Sequence, residues 1–79
     1  MEPQSSGRAA LDEWERRAEQ AYSEMYEARR AKEPYEDACL AFARAVEVAR
    51  RLGLDQEAER LTRRLDHVRA VYNSQFRGF

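Results

Sequence analysis

Cysteine and histidine often carry catalytic chemistry, and this sequence holds one of each, Cys39 and His67. Nucleophilic catalysis would need the thiolate beside a base. Cys39 is flanked by Ala38, Leu40 and Ala41, and such an apolar setting raises the pKa of a thiol and makes it inert. One cysteine and one histidine also fall short of the ligand set of a zinc site. We therefore predict no catalytic residue, no metal site and no cofactor.

Carboxylates are the other side chains that could act as acids or bases. They alternate with arginines at steps of three and four residues, as in Asp12 with Arg16, Glu13 with Arg17, and Glu47 with Arg50 and Arg51. This spacing puts opposite charges side by side on a helix surface, where each pair adds about 0.2–0.5 kcal/mol. No pair of carboxylates stands alone in an apolar segment, so the pattern predicts solvated helix faces rather than acid–base catalysis.

A short basic stripe could instead follow the phosphates of a nucleic acid. Its members fall on one face of the predicted third helix: Arg60, Arg63, Arg64 and His67. Acidic residues share the same helix, and the formal net charge of the chain is -1, which gives no overall attraction to nucleic acid or to an anionic membrane. A small nucleic-acid-associated regulator is therefore the alternative function.

Aromatic and apolar side chains outside the predicted core point to contacts with another protein. Tyr22 and Tyr26 are one helical turn apart, beside the first apolar seam. Tyrosine and arginine dominate protein interfaces, but tyrosine rings also pack over the edge of a bundle with their hydroxyls in water. Leu40 lies among charged residues, either as a stray exposed side chain or as part of a contact. The predicted partner-binding residues are Tyr22, Tyr26, Leu40, Arg44, Phe76 and Phe79.

Three apolar seams, each with alternating steps of three and four residues, must position these side chains. The seams are Leu11, Trp14, Ala18, Ala21, Met25 and Ala28; Tyr35, Ala38, Phe42, Ala45, Ala49 and Leu52; and Leu54, Ala58, Leu61, Leu65, Val68 and Tyr72. Such a period keeps one face of a helix against its neighbours. No segment shows the alternation of a half-buried strand. The sequence predicts an all-α fold, an antiparallel three-helix bundle with short loops.

Proline and glycine mark the breaks between the predicted helices. Pro34 suits the first position of a helix, Gly53 suits the left-handed residue that ends one, and Asp55 suits a helix cap. We predict a flexible lead over residues 1–8 and a helical domain over 9–76, followed by a tail over 77–79. Its helices are expected near 9–32, 34–52 and 55–76.

Charge is distributed unevenly along the 79 residues. Residues 1–37 hold six basic and ten acidic side chains, and residues 38–79 hold eight basic and five acidic ones. The middle helix is apolar around most of its circumference, more than two neighbouring helices can cover. We therefore predict a dimer in which the acidic first helix of one chain lies antiparallel to the basic third helix of another.

The expected compartment is the cytoplasm. Cys39 is the only cysteine, which excludes an internal disulfide and favours a reducing environment. No apolar run approaches the roughly 20 residues that span a bilayer, so no membrane partner is expected. The first residues lack the basic and apolar regions of a signal peptide.

The run from Tyr35 to Glu47 resembles the second helix of a tetratricopeptide repeat, with an aromatic, an alanine, an aromatic and an alanine at Tyr35, Ala38, Phe42 and Ala45. It is similar in the same way to the second helix of the microtubule-interacting-and-trafficking (MIT) domain, a three-helix bundle of about this length. The preceding helix departs from the repeat pattern. Either resemblance implies a non-catalytic helical module that holds a partner peptide or helix in a groove.

An enzyme family also has to be considered. The run from Arg8 to Glu15 is similar to the first-helix motif of small all-α chorismate mutases, but Met25 stands where that motif places its next substrate-binding arginine. The following helix begins with Glu36 and Asp37 where the family has an Arg-Glu pair. The enzyme is therefore the third choice. The first choice is a non-catalytic protein–protein interaction module, an adaptor that docks an amphipathic partner helix or a second copy of itself.

Overall fold

Three α-helices follow one another in the computed structural model, which describes the backbone of residues 3–76 and the side chains of residues 7–76. Helix α1 spans Pro3–Glu27, α2 spans Lys32–Arg51 and α3 spans Asp55–Val71, and a five-residue π-helical turn follows at Tyr72–Phe76. No strand occurs in this part of the chain. The predicted all-α three-helix bundle is confirmed.

The helix ends differ from those expected. Helix α1 begins at Pro3 and ends at Glu27, and α2 begins two residues ahead of Pro34. Proline is tolerated anywhere in the first turn, because the amides there have no partner within the helix. Because α2 begins at Lys32, the chain reverses its direction over residues 28–31. Helix α1 therefore ends at Glu27 rather than near residue 32. The predicted tail over 77–79, including Phe79, lies outside the described residues.

The connection between α2 and α3 is a Schellman motif centred on Gly53. Gly53 has a φ of 73°, its amide donates to the Arg50 carbonyl (3.1 Å), and the Leu54 amide donates to the Ala49 carbonyl (2.9 Å). Only glycine adopts this left-handed conformation at little cost, so its predicted role is confirmed. Asp55 is the first residue of α3, and the residue before that helix, Leu54, makes no side-chain cap hydrogen bond.

Helix α2 is the middle of the bundle and packs against both α1 and α3, while the α1 and α3 backbones barely approach each other. The described core is rich in alanine around a few large side chains: Leu11, Ala18, Ala21, Met25, Ala38, Ala41, Phe42, Ala45, Ala49, Ala58, Leu61, Leu65 and Val68. Most seam residues are thus buried as predicted. Ala28 is exposed in the loop, and Trp14, Tyr35 and Tyr72 are half-buried at the edge.

Two features of this arrangement bear on function. The bundle is long and thin, with extents of 48 × 19 × 12 Å, so each helix keeps a long face toward solvent. Among the helices described, none is long and apolar enough to cross a membrane.

Candidate interaction surfaces

Ion pairs join α1 and α3 along their length. Arg60 donates two hydrogen bonds to the Glu15 carboxylate, at 2.8 and 2.9 Å, and Arg64 donates two to Glu19, at 2.9 and 2.6 Å. Because α1 and α3 both run antiparallel to α2, they are parallel to each other, and both pairs join residues 45 apart in sequence. Long polar side chains therefore bridge two helices whose backbones stay apart.

These contacts stabilise the charged forms of both partners. The hydrogen bonds from Arg60 hold the pKa of Glu15 below its usual value, against a smaller opposing effect of burial. In turn, Glu15 and then Glu57 raise the pKa of Arg60, and Glu19 raises the pKa of Arg64. Glu15 and Glu19 of the acidic first helix thus neutralise two arginines of α3, a helix whose four arginines are matched in number by four carboxylates. The charges of α1 and α3 that were expected to pair two chains therefore pair within one chain.

The predicted basic stripe on α3 is largely neutralised by neighbouring carboxylates. Besides the pairs with α1, Arg63 donates to Glu59 at 2.7 Å, one turn away on the same helix. His67 is exposed, and its ring lies edge-on to the ring of Tyr22, with centroids 6.1 Å apart. A nucleic-acid phosphate would have to displace a carboxylate from each arginine of this stripe.

An aromatic strip, defined here as Tyr22, Tyr26, Phe76, Tyr72 and Tyr35, crosses one end of the bundle. Neighbouring ring centroids lie 5.6, 5.3, 6.3 and 3.8 Å apart in that order. The first two contacts are edge-to-face and the last two are stacked, so the rings of α1, α2 and the π-helical turn form one continuous cluster. Three predicted partner-binding residues, Tyr22, Tyr26 and Phe76, are therefore neighbours.

The two tyrosines of α1 differ in exposure. Tyr22 is half-buried below the guanidinium of Arg64, which lies 5.4 Å from the ring centroid, and its hydroxyl is 3.2 Å from that of Tyr26. Burial and then the contact with Tyr26 raise the pKa of Tyr22 to about 12, so its phenol loses its proton only at a higher pH than an ordinary tyrosine does. Tyr26 is 51% exposed and is the most exposed ring of the strip.

Leu40 lies in a different place, in a groove between α1 and α2. This groove is lined by Trp14, Arg17, Gln20, Ala21, Glu24, Asp37, Leu40 and Ala41. Leu40 is 55% exposed, and Trp14 is half-buried with the Arg17 guanidinium 5.3 Å from its ring centroid. The sequence placed Trp14 in the core and missed this position at the surface; Arg17, three residues after the ring, was the available signal.

Leu40 and Arg44 are thus separated from the aromatic strip. Arg44 is exposed on α2 and donates to Glu47 at 3.3 Å, and Glu47 also accepts from Arg51 at 3.1 Å. The six predicted partner-binding residues do not form one surface: Tyr22, Tyr26 and Phe76 belong to the aromatic strip, Leu40 and Arg44 to the outer side of α2, and Phe79 lies outside the described residues.

The remaining titratable side chains are few in kind and lie at or near the surface of the described part of the chain. No three His, Cys, Asp or Glu side chains there are placed to hold a metal ion, and no charged side chain is buried. Cys39 is half-buried on α2 and free. The carboxylates with lowered pKa values, Glu13, Glu15 and Glu57, owe them to hydrogen bonds from arginines.

Comparison with known proteins adds no relative. A scan against models of protein families gives no match, and searches of curated proteins and of solved structures return no significant match. The resemblance of residues 35–47 to tetratricopeptide repeats and MIT domains therefore stays a prediction.

Proposed function

We propose that this protein is a non-catalytic protein–protein interaction module, a helical adaptor that binds an apolar segment of a partner. The observation that carries the proposal is the exposure of Leu40 beside half-buried Trp14, in a groove between two helices. A groove of this kind resembles the sites that accept the apolar face of an amphipathic helix.

The energetics of the exposed side chains support this function. Covering a leucine completely contributes about 1.5–3 kcal/mol. Tryptophan, tyrosine and arginine are the residues that most often carry binding energy, and the groove offers Trp14 and Arg17. The aromatic strip, with Tyr26 as its most exposed ring, is a second surface of the same character.

A nucleic-acid-associated regulator is less well supported, because the arginines of the α3 stripe already have carboxylate partners. A salt titration separates the two functions. Binding through phosphate contacts weakens steeply as salt rises, whereas docking of an apolar segment responds little. We also place the module in the cytoplasm, on the basis of its single free cysteine.

Site-specific photocrosslinking tests the proposed function. A photoreactive residue at position 40 or 26 should give a discrete adduct with one protein when the chain is purified from its native host. The matched control is position 66, because Asp66 is exposed on α3 and outside both surfaces. Equal, diffuse adducts at all three positions would contradict the proposal.

A further inference from the structure

The outward face of α2 has a regular pattern. Its exposed residues recur every three or four positions and form the α2 outer stripe, defined here as Glu33, Asp37, Leu40, Arg44, Glu47 and Arg51. Leu40 is the only large apolar side chain among them. Helix α2 is covered by α1 and α3 on its other faces, so the α2 outer stripe is the face that is exposed to solvent.

Charge divides this stripe into two halves. The N-terminal half is acidic, and its two carboxylates, Glu33 and Asp37, form no ion pair within the described structure. The C-terminal half is basic, since Glu47 lies between Arg44 and Arg51 and leaves an excess of positive charge. By contrast, the charged side chains of α1 and α3 that face each other form ion pairs within the chain.

We propose that the α2 outer stripe binds the same stripe of a second copy of this chain, with the two α2 helices antiparallel and a two-fold axis beside Leu40. A symmetric interface needs a self-complementary surface, so an acidic end and a basic end must lie on opposite sides of the axis. The stripe has that order: Asp37, then Leu40, then Arg44. This proposal deepens the proposed function, on which it rests, by naming the partner.

The spacing of the charges fits one register. Asp37 precedes Leu40 by three residues and Arg44 follows it by four, so in an antiparallel pair each Asp37 faces Arg44 of the other copy to within about 1.5 Å along the axis. The outer charges do not share this register, because with the axis beside Leu40 each Glu33 faces Glu47 of the other copy and Arg51 lies four residues, about 6 Å, further along. The two Asp37–Arg44 pairs are therefore the charge contacts that define the arrangement.

The apolar centre of this interface comes from Leu40 and the groove beside it. Leu40 of the second copy would lie near Leu40 and the half-buried ring of Trp14, so both copies cover apolar surface that is now exposed. One leucine from each copy is a small apolar centre, and the charged pairs around it are open to solvent. The expected dimer is weak and sensitive to salt.

Charge-swap variants test the arrangement by sedimentation equilibrium across the micromolar range. The wild-type chain should dimerise with rising concentration, and Asp37→Arg alone or Arg44→Asp alone should weaken the dimer at least tenfold. Mixing the two variants should restore association, because every charged pair in the mixed dimer is again opposite. The matched control Asp66→Arg, at an exposed position on α3, should dimerise as the wild type does.

Circular dichroism of each variant checks that its helices are intact, and Leu40→Glu should also abolish the dimer. Dissociation at about 1 M salt, where charges are screened beyond about 3 Å, is expected. A chain that stays monomeric at every concentration, or a mixture that associates no better than its components, would overturn the inference. If position 40 still crosslinks to one foreign protein, the proposed function stands and only the second copy is wrong as the partner.

Discussion

Replacing Phe42 by alanine should remove most of the stability of this domain. Phe42 is fully buried on α2 and is the only aromatic side chain with no exposure in the described core. Seven of the thirteen buried apolar residues are alanines, whose short side chains cannot move into the space that a lost ring leaves. The cavity should therefore stay open, which puts the cost at the upper end of the usual range of about 3–5 kcal/mol.

The assay is urea unfolding followed by helical circular dichroism. A domain of this size has a free energy of unfolding of about 5–15 kcal/mol, and a thin core places it near the lower bound. Phe42→Ala should thus have a free energy of unfolding close to zero and be partly unfolded at room temperature even without urea. The control Phe42→Leu keeps most of the volume and should cost less than about 1.5 kcal/mol. A loss below about 1.5 kcal/mol in Phe42→Ala would refute the reasoning that Phe42 is the centre of the core.

Three further predictions concern the surface and the α2–α3 connection. A double-mutant cycle on Glu15 and Arg60 should give a coupling of at most about 1 kcal/mol, because both side chains are partly exposed. The lowered pKa of Glu15 means that this coupling is fully present above the ordinary pKa of a glutamate and is lost as pH falls through the lowered pKa, which urea midpoints at several pH values would show. Tyr22→Phe should remove the tyrosine ionisation near pH 12 from an absorbance titration, and in the wild type the raised pKa predicts that stability declines as pH rises above about 10. Gly53→Ala should lower the unfolding free energy by about 1–2 kcal/mol, since alanine is strained at a φ of 73°; an unchanged urea midpoint would contradict this.

The aromatic strip shows how the π-helical turn contributes to the surface. Tyr72 stacks on Tyr35 with an interplanar angle of 8°, and Phe76, four residues later, lies edge-on to Tyr26. The turn spans Tyr72 to Phe76 and so presents its two rings to α2 and α1 respectively. The C-terminal end of α3 is thereby attached to both other helices by aromatic contacts.

The sequence alone determined the helices and most of the core. Spacing at three and four residues identified Ala38, Phe42 and Ala45 as a buried seam, and all three are fully buried. The position of the α2–α3 connection was equally local, because Gly53 supplies a conformation that other residues avoid. These features depend on residues within a few positions of one another along the chain. Such short-range patterns can be recognised in a single sequence.

Only the tertiary structure decided which surfaces are available to a partner. Glu15 meets Arg60 across 45 positions of sequence, and Tyr26 meets Phe76 across the bundle, so neither contact follows from helical periodicity. The same packing separates Leu40 from the aromatic strip, although the sequence had grouped them. A helical pattern fixes which side of each helix is apolar, but the placement of three helices around one another fixes which charges are neutralised and which side chains stay exposed.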